Sequence, residues 1–355
     1  MTSIPLVISP SYLASISWPE GSEFHSDIPI SAGTVTLRDA FTPTIQATLV
    51  VPYSAAYWDA LDPEHAPILH LDLTVPEYPL ALQFQVFKLI VRQATRVKAS
   101  DTINIRAESY DAMLAGRQMT GTISTSQPTI FAEIQALLDS YYVTDRDSVV
   151  VTRDPATLAT GAPIADRPVG SSFSDIIEAN IATTGTIGIW RPNGNLLLQS
   201  SSAWQTGATD GKLFLAYDPS IPDFIPLLDW EWDRSLDAGY ADFIRLAWEN
   251  GSVLSTTVPI AEAIAVQRVD FNGTTPPGYV PAAGTANSIL ARMQARKERP
   301  QVQIPLMPTA RPYDRLGLPL GWPAVEPGDV SGQSHLIREV THDLVNATTT
   351  LTVSN

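Results

Sequence analysis

Between Gly33 and about Ala115 apolar and polar residues alternate with a period of two, and that pattern leaves a chain few ways to fold. Ile45, Ala47, Leu49 and Val51 alternate with Gln46 and Thr48, and Leu69, Leu71, Leu73 and Val75 alternate with His70, Asp72 and Thr74. Successive side chains of an extended strand point to opposite sides, so each run offers one apolar face to a core and one polar face to water. Prolines at 43, 52, 67, 76 and 79 punctuate the runs where a strand interior cannot continue. "LQFQVFKLIV" (82–91) and "TINIRAESY" (102–110) extend the pattern. Short, closely spaced strands of this kind predict a small barrel or sandwich.

The period changes after Gly116. "PTIFAEIQALLDSYY" (128–142) sets Ile130, Ile134, Leu137 and Leu138 at helical spacing behind Pro128, a residue suited to a first turn. A second helix is expected in "SFSDIIEANIATTG", where Ser172 and Asp175 have capping-box spacing, Phe173, Ile176, Ile177 and Ile181 form a stripe, and Gly185 supplies a stop. "TIGIW" (186–190) and "LLLQS" (196–200) flank "RPNGN", whose Asn193 and Gly194 tolerate the positive angles of a tight turn. Strands return with "DWEWDRS" (229–235) and with "YADFIRLAWENGS", which closes on Asn250 and Gly251. A third helix is expected over Thr285–Lys297, with Ala286, Ile289, Leu290 and Met293 on one face and Arg292, Arg296 and Lys297 near the end where positive charge suits the dipole. "QVQIPLM" (301–307), "HLIREVTHDL" and "ATTTLTVSN" supply the last strands.

Composition narrows the chemistry. At 355 residues the chain is long enough for two or three domains. Its 37 acidic and 22 basic side chains give a net charge of −15, which opposes the phosphate neutralisation that nucleic-acid binding needs. With no cysteine, disulfide scaffolds, thiol catalysis and cysteine-ligated zinc are excluded. The five histidines, at 25, 65, 70, 335 and 342, form no His-Glu-x-x-His arrangement, although His342 shares a strand face with Val340 and Leu344. No Gly-x-Ser-x-Gly, Walker or Gly-x-Gly-x-x-Gly motif occurs. The start, "MTSIPLVISPSYLASISW", has neither a basic segment nor an apolar run long enough for a signal or a membrane span, so synthesis in the cytosol without export is expected. The sequons at Asn250, Asn272 and Asn346 are read as turn residues.

"DWEWDRS" is the one stretch with the residue types of an acid/base site. Asp229, Glu231 and Asp233 would share one face of a strand, with same-face neighbours roughly 7 Å apart. Glycoside hydrolysis uses two carboxylates about 5–10 Å apart, often beside aromatic platforms such as Trp230 and Trp232 could offer. Catalytic carboxylates oppose each other across a cleft, however, and the same alternation describes any strand with one buried face. A β-rich carbohydrate-active enzyme or glycan-binding module is therefore the alternative reading, and a receptor-recognition fibre is a third.

Four stretches, in order, resemble the baseplate-hub family of tailed phages, especially the minor tail proteins of phages that infect actinobacteria and the central hub of T-even phages. "TLRDAFTPTIQATLVVP" (36–52) is similar to the family's opening strands, and "RPVGSSFSDIIEANIATTGTIGIWRPNGNLLLQ" (167–199) to its helix, strand, Asn-Gly turn and strand unit. "DWEWDRSLDAGYADFIRLAWEN" (229–250) resembles the strands that open a second barrel, and "EPGDVSGQSHLIREVTHDLVNATTTLTVS" (326–354) the strands that end the hub.

The resemblance implies a mainly β protein with α+β insertions: two small tube-like β-barrels joined by an α/β lobe. Residues 1–115 would be the first barrel, 116–228 the intervening lobe, 229–258 with 299–355 the second barrel, and 259–298 a helical insertion. It implies a homotrimer whose six barrels imitate sixfold symmetry, so that a threefold tip can join a sixfold tube. The implied partners are the tail tube or distal tail protein, the tape measure protein, a central fibre or spike, and viral DNA in transit, all at the distal end of the virion tail. No catalysis, metal or cofactor is implied. Trp230 and Trp232 are expected to pack on one side of their strand, leaving Asp229, Glu231 and Asp233 as a face toward water, a subunit interface or the channel. Many hubs of long-tailed phages continue into a wall-degrading or fibre domain, whereas here Asn355 follows the last hub strand; such activity is expected on another protein.

Overall fold

The structure of the protein, a computed structural model, describes residues 11–17, 24–39, 43–74, 85–116, 118, 123–124, 127–141, 151–153, 166–167, 170–183, 186–200, 212–216, 225–234, 242–248, 253–257, 268–273, 286–287, 290, 298–318 and 333–354. The alternating first third forms an antiparallel sheet from β1 (Ser11–Ser17), β2 (Phe24–Pro29), β3 (Ala32–Arg38), β4 (Ile45–Pro52), β5 (Ile68–Thr74), β6 (Gln85–Val97) and β7 (Thr102–Glu108). Their spatial order is β3-β4-β7-β6-β5-β1-β2. The period-two reading of β4 holds at every position, since Ile45, Ala47, Leu49 and Val51 are all buried. Helix α1 (Ala55–Ala60) and a 3-10 turn at Pro63–His65 connect β4 to β5, with Ala60 and Leu61 turned into the core.

"TINIRAESY" does not stay extended to its end. β7 stops at Glu108, and α2 (Tyr110–Gly116) begins two residues later. Side chains close the end of the β4 pairing there. Ile45 N–H donates to Ser109 Oγ at 2.9 Å, while the N–H and hydroxyl of Thr44 both donate to Asp111 Oδ2 at 2.7 Å. The lobe that follows contains β8 (Ile123–Ser124), α3 (Ile130–Tyr141), β9 (Val151–Arg153), β10 (Asp166–Arg167), α4 (Phe173–Thr183), β11 (Thr186–Trp190) and β12 (Leu196–Ser200). The expected capping box is present: Asp175 N–H donates to Ser172 Oγ at 3.0 Å and Ser172 N–H to Asp175 Oδ2 at 3.3 Å. The apolar stripes of α3 and α4 pack with Leu196 and Leu198 into a core that also takes in Tyr110 and Ile90 of β6.

The β11–β12 hairpin closes as its sequence demands, with Gly194 at φ +84°. Its tip fixes the lobe on the main sheet, because Lys88 N–H of β6 donates to the Pro192 carbonyl at 2.7 Å. A Cβ on Gly194 would lie 3.0 Å from Tyr110 Cε2, so glycine is required there by contact as well as by angle.

The remaining strands are β13 (Lys212–Ala216), β14 (Ile225–Pro226), β15 (Asp229–Arg234), β16 (Phe243–Trp248), β17 (Val253–Thr257), β18 (Arg268–Gly273), β19 (Glu298–Pro305), β20 (Arg315–Leu318), β21 (Gln333–Asp343) and β22 (Thr348–Ser354). β15, β19, β22 and β21 pair antiparallel in that order, and β21 pairs with β3, so strands from both ends of the chain form one sheet. β21 is the joint. One of its edges is covered by β22, whereas the other is shared between β20 at the N-terminal end and β3 at the C-terminal end, with an irregularity between Ile337 and Glu339 where the neighbour changes. β16 lies between β17 and β18 in a separate three-stranded sheet. Of the helix expected over Thr285–Lys297, Ala286, Asn287 and Leu290 are helical and the other positions lie outside the described residues.

A single apolar core runs beneath the joined sheet. Val302, Ile304, Val340, Leu351 and Val353 from the last third are buried together with Val35, Leu37, Leu49, Leu71 and Phe87 from the first. Among the described residues no helix is long and apolar enough to cross a membrane. The protein is thus mainly β with α+β insertions.

Candidate functional site

β15 carries the acidic triad of the sequence. Asp229, Glu231 and Asp233 stand opposite Gln303, Gln301 and Arg299 of β19 in register, and strand alternation separates Asp229 and Glu231 from Trp230. Asp229 and Glu231 are exposed along a shallow groove with Gln301, Gln303 and Thr350. The side chains of Trp232 and Asp233 lie outside the described residues. Trp230 falls in register with Val302, Leu351, Val340 and Leu37, all buried, yet is itself 39% exposed. The expected packing of Trp230 is therefore corrected: among the described residues β15 pairs with β19 alone, and Trp230 is left exposed instead of filling the core.

This geometry bears on the glycosidase reading. Asp229 and Glu231 are same-face neighbours on one strand, and both are exposed. Trp230 alternates with those carboxylates along the strand and also borders the groove, which is lined by residues of β15, β19 and β22. Asp229 Oδ1 accepts the backbone N–H of Trp230 at 2.8 Å.

The face bearing the acids continues across the sheet as rows of polar side chains. In register, Asp229 leads to Gln303, Thr350, Thr341, Thr36 and Gln46. The next row runs Glu231, Gln301, Thr352, Glu339 and Arg38. Hydroxyls and amides dominate: Thr36 and Thr341 share a hydrogen bond at 3.3 Å, and Gln303 Nε2 donates to Thr348 Oγ1 at 3.2 Å. The cation of the second row, Arg38, lies 3.5 Å from Glu339. The β15 rim thus carries Asp229 and Glu231 opposite glutamines in register, while the charged groups farther along these two rows are Glu339 and Arg38, which pair with each other.

Two further clusters escaped the sequence reading. Where β21 changes neighbours, Arg338 Nη1 lies 2.7 Å from Asp39 Oδ2, and the Tyr313 hydroxyl donates to the Asp39 carbonyl at 3.3 Å. Tyr313 sits at φ +74°, a conformation that bulky residues rarely adopt. Beside it, Arg311 N–H donates to Asp314 Oδ2 at 3.0 Å, and burial raises the Asp314 carboxyl to about 6 against the opposing pull of Arg311 and Arg191. Arg191 is lowered from the ordinary arginine range, first by burial and then by Arg311. Nothing in "PTARPYDRLG" signals this cluster, since it is assembled by a hairpin more than a hundred residues away. His342 does follow its sequence pattern: it is buried in the core between Val340 and Leu344, with Nδ1 2.9 Å from Thr349 Oγ1. Among the described residues no group of three or more His, Asp or Glu is placed to hold a metal ion.

No family profile matches the chain, and no curated protein sequence does. Solved structures do match it from end to end. The tail protein of Neisseria meningitidis MC58 superposes with a TM-score of 0.63 at 9% identity, covering 97% of this chain and 96% of its own. The 43 kDa tail protein of prophage MuSo2 from Shewanella oneidensis gives 0.60 at 11% identity, covering 96% and 97%. This is the fold of phage tail proteins. Prophage tail protein gp18 from Listeria monocytogenes EGD-e shares it as well, with a TM-score of 0.56 at 12% identity over 97% of this chain and 94% of that one. Similarity at these identities resides in topology, which explains why sequence comparison finds nothing while the β sheet and helical lobe superpose as a whole.

Proposed function

We propose that the chain is a structural virion protein, the hub at the tail tip, which joins the sixfold tail tube to a threefold central fibre or spike and forms part of the DNA-exit channel. The observation that carries this reading is the end-to-end match with phage tail proteins, in which nearly all of both chains is aligned. In this reading residues 1–115 and 229–258 with 299–355 supply the two tube-like units, 116–228 the lobe and 259–298 an insertion. Three copies would then present six such units to the tube. The distal tail protein, the tape measure protein and the central fibre or spike are the neighbours in that assembly, and no reaction is assigned to the chain.

The polar sheet face suits a channel or a subunit interface, with Asp229, Glu231 and Asp233 along its rim. A wall rich in threonine and glutamine hydroxyls and amides, in which the Arg38 cation is paired with Glu339 among the described residues, gives phosphates little to hold, and rim carboxylates repel them, so DNA can pass without being held. A density map of the intact tail tip tests the proposal directly. The expected result is a ring of three copies below the tail tube with the 36, 341 and 350 positions facing the bore. A chain that stays monomeric at high concentration and is missing from purified virions overturns the hub, whereas a ring whose bore is lined by other residues overturns only the assignment of the face.

A further inference from the structure

We propose that the junction between the hairpin lobe and the main sheet is a binding site for a carboxylate side chain of a protein partner, held between Arg191 and Arg311. This inference does not depend on the tail-tip reading.

The two guanidinium groups come from rigid supports. Arg191 opens the β11–β12 turn, where its N–H donates to the Asn195 carbonyl at 2.7 Å and its carbonyl accepts from Gly194 N–H at 2.9 Å. Arg311 opens a loop tied on both sides. Its N–H donates to Asp314 Oδ2 at 3.0 Å, Tyr313 N–H donates to the Ile337 carbonyl at 2.8 Å, and Ile337 N–H donates to the Asp314 carbonyl at 2.9 Å. Beneath them Ile189, Leu197, Tyr313 and Leu336 form an apolar floor where lobe and sheet meet. The positive φ of Tyr313 is held by these contacts, and backbone strain maintained in this way marks a loop kept in a particular shape.

Charge is unbalanced at this place. Among the described residues no carboxylate lies at ion-pair distance from either guanidinium. Arg311 Nε is buried with no hydrogen-bond partner, although a buried donor without an acceptor is costly. Both arginines are half-buried, and Arg311 acts on Arg191 as a repelling charge. Among the described residues, two guanidinium groups against the one carboxylate of Asp314 leave a single positive charge, which one incoming carboxylate neutralises. Arginine's planar fork accepts a carboxylate through two parallel hydrogen bonds. Oligonucleotide phosphate is the competing anion, and titration against both separates the two.

The test uses the full chain and a fluorescently labelled, end-capped peptide of six glutamates, with its glutamine counterpart and a single-stranded oligonucleotide as comparisons. Anisotropy titration is expected to show binding of the glutamate peptide alone. Binding should weaken at least about tenfold in Arg191→Gln and in Arg311→Gln, as loss of one partner of a desolvated charge pair requires, and by less in Arg311→Lys, which keeps the charge without the fork. Thermal melts establish that each variant is folded; if Arg311→Gln is not, Arg191→Gln carries the comparison. Equal binding by wild type and Arg191→Gln overturns the proposal. So does equal affinity for the glutamine peptide, preference for the oligonucleotide, or the lack of any binding.

Discussion

On acidification one core residue, His342, should contribute a loss of stability that its removal abolishes. His342 is fully buried on β21, with Phe87 edge-on at 6.2 Å, Thr349 hydrogen-bonded to Nδ1, and Nε2 without a hydrogen-bond partner. Burial lowers its pKa from the ordinary 6.5 to about 4. As pH falls through the unfolded value, the unfolded chain takes up a proton that the folded chain refuses, so stability drops from about pH 6.5 and levels off below about pH 4. The displacement corresponds to roughly 3 kcal/mol in all, with about 2 kcal/mol already lost near pH 5. Asp314, raised to about 6, and Asp111 and Glu178, also raised by burial, act in the opposite sense: they bind protons more tightly when folded and favour the folded state as pH falls. Urea unfolding followed by tryptophan fluorescence at neutral pH and near pH 5, for wild type and His342→Gln, separates these contributions. Glutamine keeps a polar contact for Thr349 and cannot titrate, so the loss of stability on acidification should be about 2 kcal/mol smaller in the variant. Parallel pH dependences for the two proteins would refute the argument.

Two further outcomes check the packing. Gly194→Ala should cost about 1–3 kcal/mol, because it forces an L side chain to φ +84° and into the Tyr110 ring, and hydrogen exchange should rise in β11 and β12 as the hairpin tip loses its seat. Leu351→Ala removes a fully buried side chain between Val302 and Val340 and should cost about 2–5 kcal/mol in denaturant unfolding; a loss below about 1 kcal/mol would mean that the shared core is not formed there.

Local features of the fold were legible because their causes are local. The alternation at 45–51, the Ser172–Asp175 box and the Asn-Gly turn each specify a strand, a helix start and a hairpin through residues a few positions apart, and each appears as read. The end of β7 was misread because Ser109 and Asp111 take their hydrogen bonds from Thr44 and Ile45, more than sixty residues earlier. The alternating pattern of "DWEWDRS" set Asp229 and Glu231 apart from Trp230 correctly. It could not reveal that, among the described residues, β15 has β19 as its one neighbour, a position that leaves Trp230 exposed. The Arg191, Arg311 and Asp314 cluster had no signal at all, since charges brought together by a docked lobe leave no spacing in the sequence.

The pairing of β21 with β3 carries the largest consequence for how the molecule holds together. Residues 32–38 obtain one neighbour from β4, next in sequence, and the other from residues some 300 positions later. Val35 and Leu37 are buried in the same core as Val340 and Leu351, so neither end of the chain completes its apolar layer alone. A sheet assembled this way pays a large loop-closure entropy before its central contacts form, and those contacts then stabilise both halves together. The Asp39–Arg338 ion pair and the Tyr313 hydroxyl bond to the Asp39 carbonyl lie where β21 passes from β20 to β3. Rotation of one half against the other would break those bonds and shear the common core.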